Sequence, residues 1–299
     1  MSAVRTVLGD VPATELGVTN AHDHLFFRSP LLPGQELDDP RAALDELRAF
    51  RELGGRTVVQ WTPRGLGRRL TEAAEASRAS GVRVVAATGL HQAAHYAPER
   101  LARERDRLAE LFIADLTTAP VRAGLIKVAG DFHGLNTHAR QVMTAAAQAH
   151  HATGSPIAVH LELGTGALEV LELLCGQLAV PADRVILGHL GRSPDTGAQR
   201  EAAGSGAFLA FDGPSRAHHA TDWRLLDELT ALAEAGYADR ILLGGDTTTA
   251  AARAASGGGP GMPHLLRRLR PRLAAELGSG FVEQVFVANP ARAFAADWR

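Results

Sequence analysis

The sequence predicts a closed parallel (β/α)₈ TIM barrel preceded by a short N-terminal β-hairpin, and three observations favour this fold. From Val18 onward, short apolar runs alternate with helical patterns. The unit repeats about every 30 residues, the length of a strand plus a crossover helix. Eight such runs occur, with no interdomain linker between them. We therefore expect one domain over residues 1–299, with a doubly wound open sheet as the alternative architecture.

The strands are predicted from short apolar segments bounded by turn residues. A hairpin is expected first, from segments 4–8 and 15–17 joined by the turn at 9–12, and it would cover one end of the barrel. The eight barrel strands are then predicted at residues 18–22, 57–61, 82–88, 124–128, 157–160, 184–188, 207–211 and 240–243.

The helices between the strands are recognised by their end signals. Asp39 followed by Pro40 predicts a helix start, and the glycines at 54–55 predict its end. Pro98 is predicted to open one long helix with Leu101 and Leu108 on its inner face. Two further helices are predicted at 222–235 and 263–277.

Composition excludes several classes of protein. With 45% hydrophobic and 21% charged residues and a net charge of −2, the chain has no excess charge for nucleic acid or an acidic membrane surface. The single cysteine, Cys175, excludes an intrachain disulfide framework. No apolar leader precedes the hairpin, and no apolar stretch is long enough to span a membrane. We expect a cytoplasmic protein.

Lys127 is the only lysine in the chain, and the rest of the 31 basic residues are arginine. It lies in an apolar segment bounded by Gly124 and Gly130, which predicts a buried strand. An amine can act as a base, form a Schiff base or take up carbon dioxide as a carbamate, and a guanidinium does none of these. The alternative is that composition bias removed the other lysines and left this one by chance.

Six polar residues fall at the C-terminal ends of the first, fourth, fifth, sixth and eighth predicted strands. They are His22, His24, Lys127, His160, His189 and Asp246. Side chains at this end of a closed barrel converge on one site. Each histidine alone could be an ordinary hydrogen-bonded residue. Together, four imidazoles, a carboxylate and an amine favour a site for Zn²⁺ or a similar divalent ion.

This order of residues resembles the phosphotriesterase family of the amidohydrolase superfamily, and the resemblance extends from residues 6–9 to 288–292. It implies a (β/α)₈ barrel that holds two divalent metal ions, with zinc as the first choice. It implies that Lys127 is carboxylated, as N6-carboxylysine, and bridges both ions. The first ion would be bound by His22, His24 and Asp246, and the second by His160 and His189.

The same resemblance implies a hydrolase. Two ions about 3.5–4 Å apart can share a hydroxide nucleophile, while one of them polarises a carbonyl or phosphoryl oxygen. Asp246 would receive the proton of the hydroxide. A lactone or carboxylic ester is the expected substrate, because two loops are similar to those of a lactonase branch. Hydrolysis of an organophosphate triester is the alternative, and a ligand-binding barrel without turnover is a second alternative.

The substrate is expected to contact loops at the mouth of the barrel. The candidate contacts are His91, His95, Tyr96, Arg216, His218 and Arg253. In the lactonase branch a lysine near position 218 and a basic-aromatic loop after strand eight would bind a phosphate. This chain has His218 and the segment 247–252 there instead, which leaves open whether the substrate is phosphorylated. The expected partners are a small-molecule substrate and, by resemblance, a second copy in a homodimer, with no nucleic acid and no membrane.

Overall fold

The N-terminal hairpin of this computed structural model consists of β1 (Ala3–Thr6) and β2 (Gly9–Pro12), paired antiparallel with Thr6 opposite Gly9. The structure describes residues 2–213, 222–256 and 258–299. The prediction of a second hairpin strand at 15–17 is wrong. The chain reverses earlier because the Thr6 hydroxyl donates to the Gly9 carbonyl at 2.7 Å, and Gly9 adopts φ +124°.

Eight parallel strands follow and confirm the predicted barrel. They are β3 (Thr19–Asp23), β4 (Thr57–Gln60), β5 (Arg83–Thr88), β6 (Leu125–Ala129), β7 (Ile157–His160), β8 (Val185–Gly188), β9 (Phe208–Asp212) and β10 (Ile241–Gly244). Each strand pairs with the next in chain order. The hairpin lies at the N-terminal end of this sheet, where the Val7 N–H donates to the Val84 carbonyl at 2.9 Å. That leaves the opposite end of the barrel open to form a site.

The barrel closes where the last strand meets the first. The backbone N–H groups of Gly245 and Asp246 donate to the His22 carbonyl at 2.8 and 3.0 Å. Gly244 permits this approach, since a Cβ on it would lie 2.5 Å from the Cβ and carbonyl oxygen of His22. Closure therefore joins the chain segments that carry His22 and Asp246.

The residues that fill the barrel alternate along each strand with residues that pack against the helices. Leu125 of β6 and Ala158 of β7 belong to the interior cluster, whereas their neighbours Ile126 and Val159 pack outward. Because side chains alternate across a strand, Lys127 and His160 share the inner face with Leu125 and Ala158. The side chains of Lys127 and His160 therefore point into the barrel, on the C-terminal side of the apolar residues Leu125 and Ala158.

Ten α-helices surround the strands in the part of the chain that the structure describes. They are α1 (Pro40–Glu52), α2 (Leu70–Ser80), α3 (Pro98–Glu104), α4 (Leu108–Thr117), α5 (Thr137–Thr153), α6 (Ala167–Leu171), α7 (Thr196–Gly204), α8 (Leu225–Glu234), α9 (Arg270–Glu283) and α10 (Asn289–Phe294). The side chain of Asp39 caps α1 as predicted, by accepting from the Arg41 and Ala42 N–H groups. Among these helices, none has the length and apolar character needed to cross a bilayer.

Two of the predicted helices differ in the structure. The long helix from Pro98 is divided into α3 and α4 by a 3₁₀ turn at Arg105–Arg107. The charged turn is exposed, whereas Leu108 after it is buried, so the two helices pack separately. The helix predicted at 263–277 begins with a π-helical turn, Leu265–Leu269, before α9. Pro271 has no N–H to donate to the preceding turn, which accounts for the irregular start.

Glu46 of α1 fixes the loop that follows β10. Its side chain is fully buried, and it accepts hydrogen bonds from the backbone N–H groups of Ala255 at 2.9 Å and Met262 at 2.8 Å. A buried acceptor that satisfies two backbone donors is costly to lose, because the donors are then left without partners. The loop is thereby tied to the first helix of the barrel.

We expect Glu46→Gln to lower the free energy of unfolding by about 1–3 kcal/mol, because the amide nitrogen would face a backbone donor. Chemical denaturation of the two proteins measures the difference. Glu52→Gln is the matched control, since Glu52 lies at the exposed end of the same helix and its change should stay within about 0.5 kcal/mol. Equal stabilities of wild type and Glu46→Gln would contradict the role given to Glu46.

Candidate metal centre

The open end of the barrel brings the six predicted site residues to one place. His22 and His24 lie at the end of β3 and just beyond it, Lys127 in β6, and His160 at the end of β7. His189 directly follows β8, and Asp246 comes two residues after β10. All are buried except the side chain of His160, which is 15% exposed. The site is therefore largely closed to solvent apart from one edge.

Asp246 lies at the centre of this group. Its Oδ1 is 3.5 Å from His22 Nε2 and 3.4 Å from His24 Nε2, and its Oδ2 is 3.9 Å from His189 Nδ1. One ligand atom each from His22, His189 and Asp246 lie within 4.8 Å of one another. The ring of His160 is 4.4 Å from that of His189. The four imidazoles and the carboxylate thus form one continuous cluster.

Three of the imidazoles are held by hydrogen bonds to their outer nitrogens. Asp212, at the end of β9, contacts His22 Nδ1 at 2.9 Å and His189 Nδ1 at 2.5 Å. Thr62, after β4, contacts His24 Nδ1 at 2.8 Å. These contacts leave Nε2 of each ring as the nitrogen available to a cation. An acceptor on the outer nitrogen fixes the ring and raises its basicity as a ligand.

Asp212 and Thr62 were not predicted as site residues. The signal that could have found them is the one used for the histidines, a polar residue at or just after the C-terminal end of a strand. Asp212 ends the seventh barrel strand and Thr62 follows the second. Together with the six predicted metal-site residues they bring polar groups to this centre from seven of the eight barrel strands, and His91, which follows β5, places its ring 4.6 Å from that of His160.

Two of the site residues have strained backbones. His189 adopts φ +66° and Asp246 adopts φ +50°, both in the left-handed region that residues other than glycine seldom occupy. Such strain persists only where surrounding contacts hold it, and it is concentrated at functional sites. In Asp246 the holding contact is the backbone hydrogen bond to His22.

Arg192, in the turn after His189, adds a cation to the site. Its guanidinium donates to Asp246 Oδ2 and lies 3.1 Å from Asp212 Oδ2. Burial favours the neutral form of Asp246, but Arg192 and the nearby imidazoles outweigh it and hold the pKa of this carboxyl well below its usual range. Both carboxylates therefore stay ionised inside the protein.

Burial sets the protonation of the nitrogen groups. It lowers the pKa of Lys127 to about 7, although Asp246 and Glu162 raise it, and it lowers the pKa of His24 and of His189 to about 4. The rings of His24 and His189 are thus neutral at pH 7 and keep a lone pair for a metal. Neutral imidazole and an ionised carboxylate are donors that suit a divalent transition ion, so the residues fit a metal.

The residues predicted to contact the substrate differ from one another in their burial and hydrogen-bond partners. His91 is buried, with its ring 4.6 Å from that of His160, and His95 Nδ1 contacts the Ser29 hydroxyl at 2.7 Å. The Tyr96 hydroxyl accepts from the His91 N–H. Arg253 is buried, and its guanidinium donates to the Leu25 carbonyl. Arg216 and His218 lie outside the described residues.

The sequence profile of the phosphotriesterase family matches residues 2–294. The chain belongs to this family. Among its relatives is a phospho-furanose lactonase of Mycoplasmopsis synoviae, 28% identical over 98% of this chain and 92% of that protein. The phospho-furanose lactonase of Mycoplasmopsis agalactiae is 33% identical over 75% of this chain and 70% of that protein. The crystal structure of a lactonase from Listeria monocytogenes superposes with a TM-score of 0.90 at 28% identity, covering 98% of both chains.

In this phosphotriesterase-family chain a buried glutamate lies beneath the turn that carries His189. Glu228 of α8 places Oε2 3.1 Å from the point that a Cβ on Gly191 would occupy. Burial raises the pKa of Glu228 to about 7, although Arg224, whose Nη2 is 3.6 Å from Oε1, lowers it. Because the pKa of Glu228 is higher in the folded than in the unfolded protein, ionisation of this carboxyl lowers the stability of the fold. The effect is absent at low pH, where the carboxyl is protonated in both states, and it grows as the pH rises.

We expect Glu228→Gln to raise the unfolding temperature of the chelated protein at pH 8. Wild type loses stability as the pH rises from 4.5, the ordinary pKa of a glutamate, through about 7, and the uncharged amide avoids this loss. Below pH 4.5 the two proteins should unfold at the same temperature. Thermal unfolding at both pH values measures the effect, with Glu234→Gln on the exposed face of α8 as control. A lower unfolding temperature of Glu228→Gln at pH 8 would contradict the assignment.

Proposed function

We propose that the protein opens a lactone or cleaves a carboxylic ester with the help of two divalent metal ions, zinc being the first choice. As a member of the phosphotriesterase family it is a metal-dependent hydrolase. The observation that carries the proposal is the convergence of two imidazole Nε2 atoms on Asp246 Oδ1, at 3.4 and 3.5 Å. The relatives named phospho-furanose lactonase support a lactone as the substrate class.

The proposed ligand set divides the cluster between the two ions. His22, His24 and Asp246 would hold the first ion, and His160 and His189 the second. Lys127 would bridge them as a carbamate, which offers one oxygen to each ion. Its position in the inner face of β6 and its lowered pKa support this assignment, because only an uncharged amine takes up carbon dioxide.

The chain's own residues have distinct roles in the proposed reaction. Two bound ions would supply the acidity that turns water into a nucleophile and would polarise the carbonyl group. Asp246 would accept the proton released in this step, while Asp212 and Thr62 keep the imidazoles oriented. His91, His95 and Tyr96 would contact the substrate from the loop after β5, and Arg216 and His218 from the loop after β9.

The surroundings of two arginines favour an uncharged lactone or carboxylic ester over a phosphorylated substrate. Arg253, a predicted anion contact, is buried and its guanidinium is used by the Leu25 carbonyl. Arg192 is paired with Asp246 and Asp212. Both guanidinium groups therefore already have protein partners, which disfavours their use by a substrate phosphate. We further propose a cytoplasmic homodimer that acts on a small molecule, with neither nucleic acid nor a membrane as partner.

The proposal is tested by a rate survey on protein reconstituted with Zn²⁺. Plain lactones, phosphorylated sugar lactones, a carboxylic ester and an organophosphate triester are compared before and after removal of metal with a chelator. We expect the highest kcat/KM for a lactone and loss of all rates on chelation. Fastest turnover of the triester would favour a phosphotriesterase instead. Two bound ions with no turnover of any compound would favour a ligand-binding barrel.

We expect Lys127→Ala to lose both metal and activity, because the variant removes the proposed ligand shared by the two ions. Added bicarbonate together with a short carboxylic acid should partly restore both, since the acid can occupy the vacated space. Metal analysis and the lactone assay measure the two losses. Lys127→Arg is the matched control, because its guanidinium fills the space and should prevent rescue. Full metal content in Lys127→Ala would contradict a bridging carbamate.

A further inference from the structure

A third carboxylate lies at the solvent-facing edge of the metal centre. Glu162 follows β7 by two residues, and its Oε2 is 3.1 Å from His160 Nε2. Its side chain is 35% exposed, so it forms part of the mouth of the barrel. His160 is the least buried of the four imidazoles, and Glu162 contacts its outer nitrogen as Asp212 and Thr62 do for the others.

We infer that Glu162 is a positioning residue for the second metal ion, acting through His160. This inference rests on the proposed two-ion hydrolase. Because Glu162 engages Nε2, the nitrogen of His160 left for a cation is Nδ1, whereas His22, His24 and His189 have Nε2 left. The carboxylate therefore decides which face of the His160 ring is turned to the ion.

Glu162 is itself held from a second direction. The side-chain amide of Gln92, in the loop after β5, donates to Glu162 Oε2 at 3.0 Å and to the Gly130 carbonyl at 2.9 Å. One amide thus joins the loops that follow three successive strands, β5, β6 and β7. The Thr165 hydroxyl donates to the Glu162 carbonyl at 2.8 Å and closes the turn after it.

The turn that follows Glu162 packs closely against the segment that contains His189. Leu163 adopts φ +50° although it is not a glycine, and Gly164 adopts φ +73°. A Cβ on Gly164 would lie 2.6 Å from the His189 carbonyl oxygen. Such a conformation persists only where surrounding contacts hold it, so the backbone of this turn is fixed beside the segment that carries His189.

Two physical effects of Glu162 act in the same direction. Its hydrogen bond orients His160 and makes the ring a more basic ligand, and its negative charge favours a nearby cation. Loss of a contact of this kind weakens metal binding by about 10–100-fold in general. The Glu162 side chain bonds to His160 and Gln92 and to none of His22, His24 and Asp246, and it reaches Lys127 only through its charge, so the affinity of the first ion should change much less than that of the second.

The test is a competition titration of the chelated protein, equilibrated with bicarbonate, in which Zn²⁺ is shared with a chromophoric chelator. Glu162→Gln should bind the first ion as wild type does and the second about 10–100-fold more weakly. Glu162→Asp keeps the charge but shortens the arm that reaches His160, so it should show the same selective loss. Glu169→Gln, an exposed glutamate in α6, is the matched control and should bind both ions like wild type.

The outcomes separate this inference from the proposal beneath it. If wild type binds two ions and Glu162→Gln binds both with wild-type affinity, the role of Glu162 is overturned and the hydrolase proposal stands. Equal weakening of both ions, or full affinity in Glu162→Asp, also overturns it, since neither fits a hydrogen bond to one ligand. Fewer than two ions in wild type would overturn both. Thermal unfolding of the chelated variants at the wild-type temperature shows that they are folded.

Discussion

The two backbone hydrogen bonds from Gly245 and Asp246 to the His22 carbonyl are the contact on which the site depends. They join the last strand to the first, and they place the carboxylate of Asp246 against His22 and His24. A side chain on Gly244 would block this approach. Residues more than 220 positions apart in the sequence therefore meet because the barrel closes, and the positive φ of Asp246 is a local cost of that closure.

Around this contact the protein buries carboxylates and imidazoles, and burial of any one of them without a partner would lower the stability of the fold. The ionised carboxylates are offset by Arg192, and the rings of His24 and His189 stay neutral because burial lowers their pKa to about 4. Each ring also has an outer nitrogen in contact with a protein group, which fixes its orientation. The arrangement is preorganised for a cation, because the ligands need little rearrangement to bind one.

The strands and their polar ends could be predicted from the sequence, because strand period and the length of the strand-helix unit are local properties. Each barrel strand begins and ends within one residue of its predicted bounds. The predictions of a second hairpin strand at 15–17 and of one long helix from Pro98 were wrong. A side-chain hydrogen bond of Thr6 turns the hairpin earlier, and the helix is divided at an exposed charged turn. Asp212 and Thr62 carry the same signal as the histidines, a polar residue at or just after a strand end, and were overlooked. Which imidazole each of them contacts depends on the side chains that face each other across strands, and sequence spacing carries no such information.

The solitary lysine has a practical consequence for anyone who studies this protein. Apart from the amine at the start of the chain, Lys127 is the only aliphatic amine that a selective acylating reagent could find, and it is buried at the bottom of the mouth. Isotopic labelling has the same simplicity, because a side-chain carbamate made from ¹³C-enriched bicarbonate could form only on Lys127. Its resonance, distinguished from that of a terminal carbamate by its protection in the barrel, would report on the interior without any engineered label.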